Sequence, residues 1–241
     1  MGQPGAPSGS PTTSTREGEE TPEGRPDVAA TAIEALGGTP PGLRRDPVSP
    51  LRPLLPESLE RRLAAFDQHA ERLFDHLRGR PLVDRLFYSA SSLADFSLLW
   101  HLLATARGLR GTRRQGEAAR LGVALGIESV MVNVGIKSLF RRSRPRRQEH
   151  ERHQLRLPRS SSFPSGHATS GFMAAGLLSE HRPAWQFAGW HLLASVVAAS
   201  RIHVGIHHAS DVVAGAAMGA GFARLVRRAW PLRADAAGRR S

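Results

Sequence analysis

Three short clusters decide how this chain folds: KSLFRRSRP at 137–145, PSGH at 164–167, and SR at 200–201 with His207 and Asp211 behind it. Each cluster lies at the end of an apolar segment. Together they supply three cations, two imidazoles, a carboxylate and a turn of small residues. These are the groups needed to bind a phosphate and to break its ester bond.

Composition limits the class of protein. The chain has 241 residues, a formal net charge of +12 and no cysteine, so neither a disulfide framework nor a thiolate metal site is possible. The positive charge is compatible with nucleic acid, anionic lipid or an anionic substrate. Because the arginines flank apolar runs and form no recognisable nucleic-acid module, we predict no nucleic-acid partner.

Lys137 is the only lysine among the 33 basic residues of the chain. Arginine is a wide planar fork, whereas lysine carries a compact point charge, so the two are not interchangeable in a tight anion site. The position of the single lysine inside the first cluster therefore favours a functional role.

Composition also divides the chain. Residues 1–55 are rich in Gly, Pro, Ser, Thr and charge, and we predict a disordered tail without a cleavable signal peptide. Residues 56–82 are predicted to contain an amphipathic helix, residues 83–230 a membrane domain, and residues 231–241 a basic tail. The amphipathic helix either lies on the membrane surface or packs on the domain. Its predicted apolar face is Leu59, Leu63, Phe66, Ala70, Leu73, Phe74 and Leu77, and its predicted polar face is Glu60, Arg61, Asp67, Glu71 and Arg72.

Five apolar segments follow, at 86–106, 118–140, 167–179, 184–199 and 212–223. The first two reach the length of about 20 residues that spans a bilayer. Small residues spaced by four at Gly215 and Gly219 favour close packing of membrane helices. We therefore predict an all-α integral membrane bundle of about five transmembrane helices. Three polar residues inside the first two spans, Asp95, His101 and Glu128, are predicted to be structural hydrogen-bonding partners.

If all five segments span, their alternating directions bring the three clusters to one membrane face. Arginines on the opposite side of the bundle favour the cytoplasm there, so the clusters are expected on the extracytoplasmic face of the cell membrane. The loop between Lys137 and His167 is also rich in arginine, which weakens this preference.

The clusters divide by chemistry. Lys137, Arg144 and Arg201 are candidate cations for phosphate oxygens. Ser165 and Gly166 would present backbone N–H groups to an anion at a helix start, with His167 above it as the general acid. The remaining arginines of the first loop are interpreted as lipid-headgroup contacts: Arg141, Arg142, Arg146 and Arg147.

His207 and Asp211 are four residues apart and share a face if the segment is helical. A carboxylate on one ring nitrogen would orient the imidazole and leave the other nitrogen to attack phosphorus. Two other interpretations remain: Ser210 or Asp211 simply caps a helix, or a metal site forms from His203, His207, His208 and Asp211. We predict no metal, because the nearby cations would repel it.

At these positions the sequence resembles the type 2 phosphatidic acid phosphatase superfamily. Its three-part signature matches Lys-x6-Arg-Pro from Lys137, Pro-Ser-Gly-His from Pro164, and Ser-Arg-x5-His-x3-Asp from Ser200. The resemblance covers about 86–230. It implies a helical bundle and a metal-independent phosphatase without a cofactor. It also implies a phosphohistidine on His207, with Asp211 as its partner and His167 as the acid on the leaving oxygen. It also implies that Lys137, Arg144, Ser165, Gly166 and Arg201 bind phosphate.

Members of this superfamily act on lipid phosphates such as phosphatidic acid, phosphatidylglycerol phosphate and polyprenyl phosphates. We therefore expect a lipid phosphate substrate and membrane lipids as partners. A polyprenyl-phosphoryl sugar phosphate is an alternative substrate, and a member acting on it would work facing the cytoplasm. Vanadate-dependent haloperoxidases share the signature, and a non-catalytic anion-binding membrane protein is a further alternative. Membrane members commonly have six spans, whereas five and an amphipathic helix are predicted here.

Overall fold

The computed structural model describes residues 56–145 and 160–232. Within these two ranges every regular element is helical, which confirms the predicted all-α class. The predicted tail 1–55, most of the basic loop and residues 233–241 lie outside the described residues. The helices are α1 (Glu57–Asp75), α2 (Pro81–Leu93), α3 (Leu98–Gly108), α4 (Thr112–Val130), α5 (Gly166–Leu178), α6 (Ala184–His203) and α7 (Ala209–Ala229).

Helix α1 is turned differently from the sequence prediction. Asp67, assigned to the polar outer face, is only 8% exposed, whereas Leu63, Phe66 and Leu73 are 37%, 46% and 58% exposed. Among the predicted apolar residues, Ala70 and Phe74 pack against the buried core. The reason is electrostatic, because Asp67 accepts hydrogen bonds from Arg142 and Ser210 inside the protein. The assignment of Asp67 to the solvated face was therefore wrong.

The first predicted span is divided into two helices. A 3-10 turn at Asp95–Ser97 separates α2 from α3, and Ser97 has a positive φ of 58°. A left-handed serine cannot continue an α-helix, so the apolar run at 86–106 forms two helices instead of one continuous helix. Trp100 of α3 is completely buried in the core between the helices.

Helix α4 continues through a π-helical segment at Met131–Ile136 and a last turn at Lys137–Leu139. Together they form a helix of 28 residues that is long and apolar enough to cross a membrane. Its apolar outer residues include Ile127, Val130 and Val134, which are 57%, 62% and 69% exposed. The π-helical segment is followed directly by Lys137, as is common where helices carry functional groups.

Helices α5 and α7 form the most extensive helix pair of the described chain. A Cβ added at Gly215 would lie 2.5 Å from the backbone oxygen of Ser165, and one added at Gly219 would collide with the backbone oxygen of Thr169. The small residues therefore permit the close approach that their spacing predicts. This contact places the start of α7 against the start of α5.

Two helices in the described part of the chain pass the test of length and hydropathy for crossing a membrane: Thr112–Leu139 and Ala209–Ala229. A count of five spans therefore remains a prediction. These two apolar helices support a membrane location.

Candidate active site

Lys137 lies at the end of the long α4 helix and is 9% exposed. Its Nζ donates to Asn133 Oδ1 at 2.9 Å, one helical turn earlier. The same Nζ lies 3.8 Å from where a Cβ on Gly166 would be. The lone lysine of the first cluster is thus brought against the second cluster, and Asn133 is a polar contact that sequence reasoning did not identify.

Ser165 and Gly166 form the start of α5. Ser165 is the N-cap residue, but its side chain makes no capping hydrogen bond. Its Oγ is buried and has no hydrogen-bond partner among the described residues. Ser165 N–H donates to the backbone oxygen of Asp211 at 3.1 Å, which joins the second cluster to the third. A buried free hydroxyl beside a lysine and a helix N-terminus suits an anionic oxygen.

The third cluster is held together by a tight turn after α6. The backbone oxygen of Arg201 accepts from the N–H groups of Ile206 and His207, both at 3.1 Å. Gly205 has φ of 69°, a conformation that glycine adopts without steric cost. Although Arg201 and His207 are six positions apart in sequence, the turn therefore brings the backbone of one against that of the other.

His207 is 2% exposed and lies between a carboxylate and a guanidinium. Its Nδ1 is 3.8 Å from Asp211 Oδ2, and its Nε2 is 3.3 Å from Arg144 Nη1. Burial lowers the pKa of His207 to about 3, although Asp211 opposes the shift. The imidazole is therefore neutral near pH 7, which is the state a nitrogen nucleophile requires.

Asp211 is completely buried near the start of α7. Its Oδ2 accepts from the N–H of His208 at 2.9 Å, so it also caps the helix. Helix capping and proximity to His207, treated as alternatives in the sequence, are both present in the structure.

His167 and Arg201 meet around Asp95. The Nε2 of His167 lies 3.0 Å from Asp95 Oδ1, and Arg201 Nη1 lies 3.8 Å from the same oxygen. Arg201 Nη1 also donates to the hydroxyl of Ser91. Sequence reasoning treated Asp95 as a structural hydrogen-bonding partner because no charged cluster lies beside it in the chain. The folded protein instead places it against two predicted site residues.

Arg142 is a second correction. It was interpreted as a lipid-headgroup contact, but its Nη1 donates to Asp211 and its Nη2 donates to Asp67 Oδ2 at 2.6 Å. The arginine spacing alone gave no signal that separates Arg142 from the exposed Arg141. Arg146 and Arg147 lie outside the described residues.

The residues considered for a metal site do not form one cluster. His203 Nε2 bonds to Asp84 Oδ1 at 2.8 Å, and its ring lies against Phe87 with 4.6 Å between ring centres. Among the described residues, no group of three or more His, Asp or Glu side chains is arranged to hold a metal ion. His203 instead packs and pairs within the helix bundle.

All eight predicted site residues therefore lie in one connected region. Backbone and side-chain contacts join Lys137 to Gly166, Ser165 to Asp211, Arg144 to His207, and His167 to Arg201 through Asp95. A buried neutral imidazole close to the guanidinium groups of Arg144 and Arg201 can receive a phosphoryl group whose negative charge those cations stabilise. The fold and site define a helical membrane protein with a cationic site around a buried imidazole.

Comparison with known proteins gives the family. The sequence model of the PAP2 superfamily matches residues 117–235. The decaprenylphosphoryl-5-phosphoribose phosphatase of Mycobacterium tuberculosis is 34% identical over 155 residues, covering 60% of this chain and 82% of that protein. The protein of the same name from Mycolicibacterium smegmatis is 35% identical over 141 residues, which cover 58% of this chain and 74% of that protein. This chain belongs to the PAP2 superfamily and is a phosphatase.

Solved structures agree with this fold. The crystal structure of Aquifex aeolicus LpxE is 25% identical with a TM-score of 0.53, and the match covers 67% of this chain and 94% of LpxE. A transmembrane PAP2-type phosphatidylglycerolphosphate phosphatase from Bacillus subtilis is 20% identical with a TM-score of 0.55. The match covers 73% of this chain and 88% of that protein. These similarities support the predicted family and the membrane location.

Proposed function

We propose that this protein is a membrane phosphatase that releases phosphate from a lipid phosphate through a phosphohistidine on His207. One observation carries the proposal: His207 is buried with Asp211 on its Nδ1 side and Arg144 on its Nε2 side. A carboxylate on the Nδ1 side would orient the imidazole, and the guanidinium of Arg144 lies beside the nitrogen that is left to react.

Substrate binding relies on the three cations. Lys137, Arg144 and Arg201 would neutralise the phosphoryl oxygens, with Ser165 Oγ and the N–H groups at the start of α5 as further donors. Arg144 is held by backbone oxygens of Ile206 at 3.0 Å and Ser161 at 3.2 Å, so its guanidinium is already oriented. A phosphate bound there would be next to His207 Nε2.

The reaction then takes two steps. His207 Nε2 forms a bond to phosphorus as the phosphorus–oxygen bond to the lipid breaks, and His167 gives a proton to the departing oxygen. In the second step a water gives its proton to His167 and attacks phosphorus, which breaks the phosphorus–nitrogen bond and releases phosphate. Asp211 stabilises the positive imidazole ring in both steps.

For the substrate, we propose a phosphomonoester on a sugar carried by a polyprenyl phosphate. The two relatives above, each at least 34% identical, carry names that specify such a compound. Phosphatidic acid, phosphatidylglycerol phosphate and polyprenyl diphosphate are the competing substrates, because the same phosphoryl chemistry applies to them.

A phosphate-release screen tests the proposal. The purified full-length protein is supplied with a polyprenyl-phosphoryl pentose 5-phosphate and with the three competing lipids in mixed micelles. The pentose phosphate is expected to have the highest kcat/KM, and His207→Ala is expected to abolish release while the far-ultraviolet circular dichroism remains helical. Turnover by His207→Ala at the wild-type rate would contradict the proposed nucleophile.

Metal dependence and vanadate sensitivity test the mechanism separately. Release is expected to continue in excess EDTA, because the cations that neutralise phosphate are side chains. Vanadate is expected to inhibit, because it adopts the five-coordinate geometry of the transferring phosphoryl group. Activity that is lost in EDTA and restored by zinc would favour the metal-dependent alternative.

We propose that the site faces the extracytoplasmic side, as the arginines near the opposite end of the bundle favour. A polyprenyl-phosphoryl sugar phosphate would instead be hydrolysed facing the cytoplasm, so the membrane face is tested separately from the substrate. The chain has no cysteine, so single substitutions report accessibility without background. Exposed Ser160 lies near the site, and exposed Thr112 lies at the other end of the long helix. In intact cells, a membrane-impermeant maleimide should label Ser160→Cys but not Thr112→Cys. The reverse pattern would place the site in the cytoplasm.

A further inference from the structure

Behind Asp211, Arg142 lies between two buried carboxylates. Its Nη1 donates to Asp211 Oδ1 and also to Ser210 Oγ at 2.8 Å. Its Nη2 donates to Asp67 Oδ2 at 2.6 Å. Asp67 is 8% exposed and Asp211 is fully buried, so these ion pairs are shielded from solvent on the carboxylate side.

Asp67 also fixes the start of α7. Its Oδ1 accepts from Ser210 N–H at 2.8 Å, and its Oδ2 accepts from Ser210 Oγ at 2.8 Å. The first N–H groups of a helix have no partner inside the helix, and a carboxylate is favoured there by the helix dipole. A residue of α1 therefore caps the helix that carries Asp211.

The two contacts restrict how Asp211 meets the imidazole. Oδ1 of Asp211 is taken by Arg142, whereas Oδ2 accepts from His208 N–H and lies 3.8 Å from His207 Nδ1. The carboxylate can rotate only by breaking one of these hydrogen bonds. Arg142 depends in turn on Asp67, since that carboxylate holds the other side of its guanidinium.

We propose that Asp67 and Arg142 are positioning residues for the reaction, which hold Asp211 in the orientation that selects one tautomer of His207. Asp67 belongs to α1, outside the residues 117–235 that match the PAP2 superfamily. Helix α1 thus sets the geometry of the nucleophile in addition to covering the bundle. The kinetic part of this inference rests on the proposed role of His207.

The kinetic test uses Asp67→Asn, which keeps the shape and an oxygen acceptor but removes the charge beside Arg142. Glu57→Gln on the exposed first turn of the same helix is the matched control. Because a small displacement of a reacting group is costly, kcat is expected to fall about 10- to 100-fold in Asp67→Asn. KM is expected to stay close to the wild-type value, since Lys137, Arg144 and Arg201 are untouched.

Coupling between the two positions gives a second measurement. If Asp67 acts through Arg142, the double variant Asp67→Asn with Arg142→Met should lose no more than Arg142→Met alone. If the fold-losses in kcat of the two single variants multiply in the double variant, Asp67 does not act through Arg142, and the proposal is overturned. A lower melting temperature in Asp67→Asn with unchanged kcat would likewise overturn it, leaving Asp67 only the role of a helix cap.

A third measurement does not depend on turnover. In protein labelled with 15N at histidine rings, nuclear magnetic resonance should show His207 with its proton on Nδ1 in the wild type. Asp67→Asn should show a mixture of tautomers. An unchanged tautomer would overturn the positioning role even if turnover falls. The wild type could release no phosphate while the His207 tautomer still changes in Asp67→Asn. In that case the proposed function fails, but the positioning role of Asp67 is supported.

Discussion

Arg144 Nη1 lies 3.3 Å from His207 Nε2, the ring nitrogen that does not face Asp211. The guanidinium is fixed in this place by backbone oxygens on both sides of the site, at Ile206 and at Ser161. A phosphate that binds Arg144 is therefore brought to the nitrogen of His207 that is free to react.

Arg144→Lys should separate charge from geometry. Lysine keeps the positive charge but cannot reproduce the planar fork that binds two phosphate oxygens. We expect kcat/KM for the lipid phosphate to fall about 10²- to 10³-fold, as when one preorganised donor to a developing negative charge is removed. Exposed Arg141 provides the control, because Arg141→Lys should leave kcat/KM unchanged. Equal activity of the two variants would contradict the assignment of Arg144.

Lys137→Arg is the reverse substitution, in which an arginine replaces the single lysine of the site. Lys137 is 9% exposed, and its Nζ lies 2.9 Å from Asn133 Oδ1 and 3.8 Å from the Cβ position of Gly166. The larger guanidinium overfills this space at a cost of about 1–3 kcal/mol. We expect kcat/KM to fall about ten- to hundredfold as a result. If steady-state kinetics give Lys137→Arg the kcat/KM of the wild type, the single lysine has no special role.

The eight candidate site residues could be proposed from the sequence because each has a fixed place relative to an apolar segment. Lys137, for example, follows an apolar run, and Gly215 has the spacing that allows α7 to approach α5. These are short-range patterns, and they remain valid when the helices pack. Close packing then converts them into one site, as the contact between Ser165 and Asp211 shows.

Asp67, Arg142 and Asp95 could not be found in the same way. Each acquires its role from a side chain that is distant in sequence: Asp67 and Arg142 are 75 positions apart, for example. Periodicity assigned Asp67 to the solvated face because it reads only hydrophobicity along one helix. It contains no information about a half-buried arginine in another segment, or about the left-handed Ser97 that divides the first apolar run.

Gly219→Ala tests the packing of α5 on α7. The added Cβ would collide with the backbone oxygen of Thr169 and would lie 2.9 Å from the backbone nitrogen of Met173. Backbone atoms cannot move aside as a rotamer can, so we expect a loss of about 3 kcal/mol or more in the free energy of unfolding. Thermal unfolding in detergent measures the change.

Gly126→Ala is the matched control for that experiment, because an added Cβ there meets nothing within 4 Å. It should leave the melting temperature unchanged or raise it slightly, since alanine is the better helix former. Equal melting temperatures for the Gly126 and Gly219 variants would show that α5 and α7 do not approach so closely.

The buried imidazole of His207 should make the protein sensitive to acid. Burial lowers the pKa of His207 in the folded state to about 3, from an ordinary value of 6.5. Between these values the unfolded chain binds a proton that the folded protein does not, so stability falls as the pH falls. From pH 7 to pH 5 this one group should remove about 2 kcal/mol from the free energy of unfolding. Denaturation of the wild type and of His207→Asn at both pH values measures the contribution, because asparagine does not titrate. The wild type should lose more stability than the variant, and equal losses would mean that the ring is not held neutral in the folded protein.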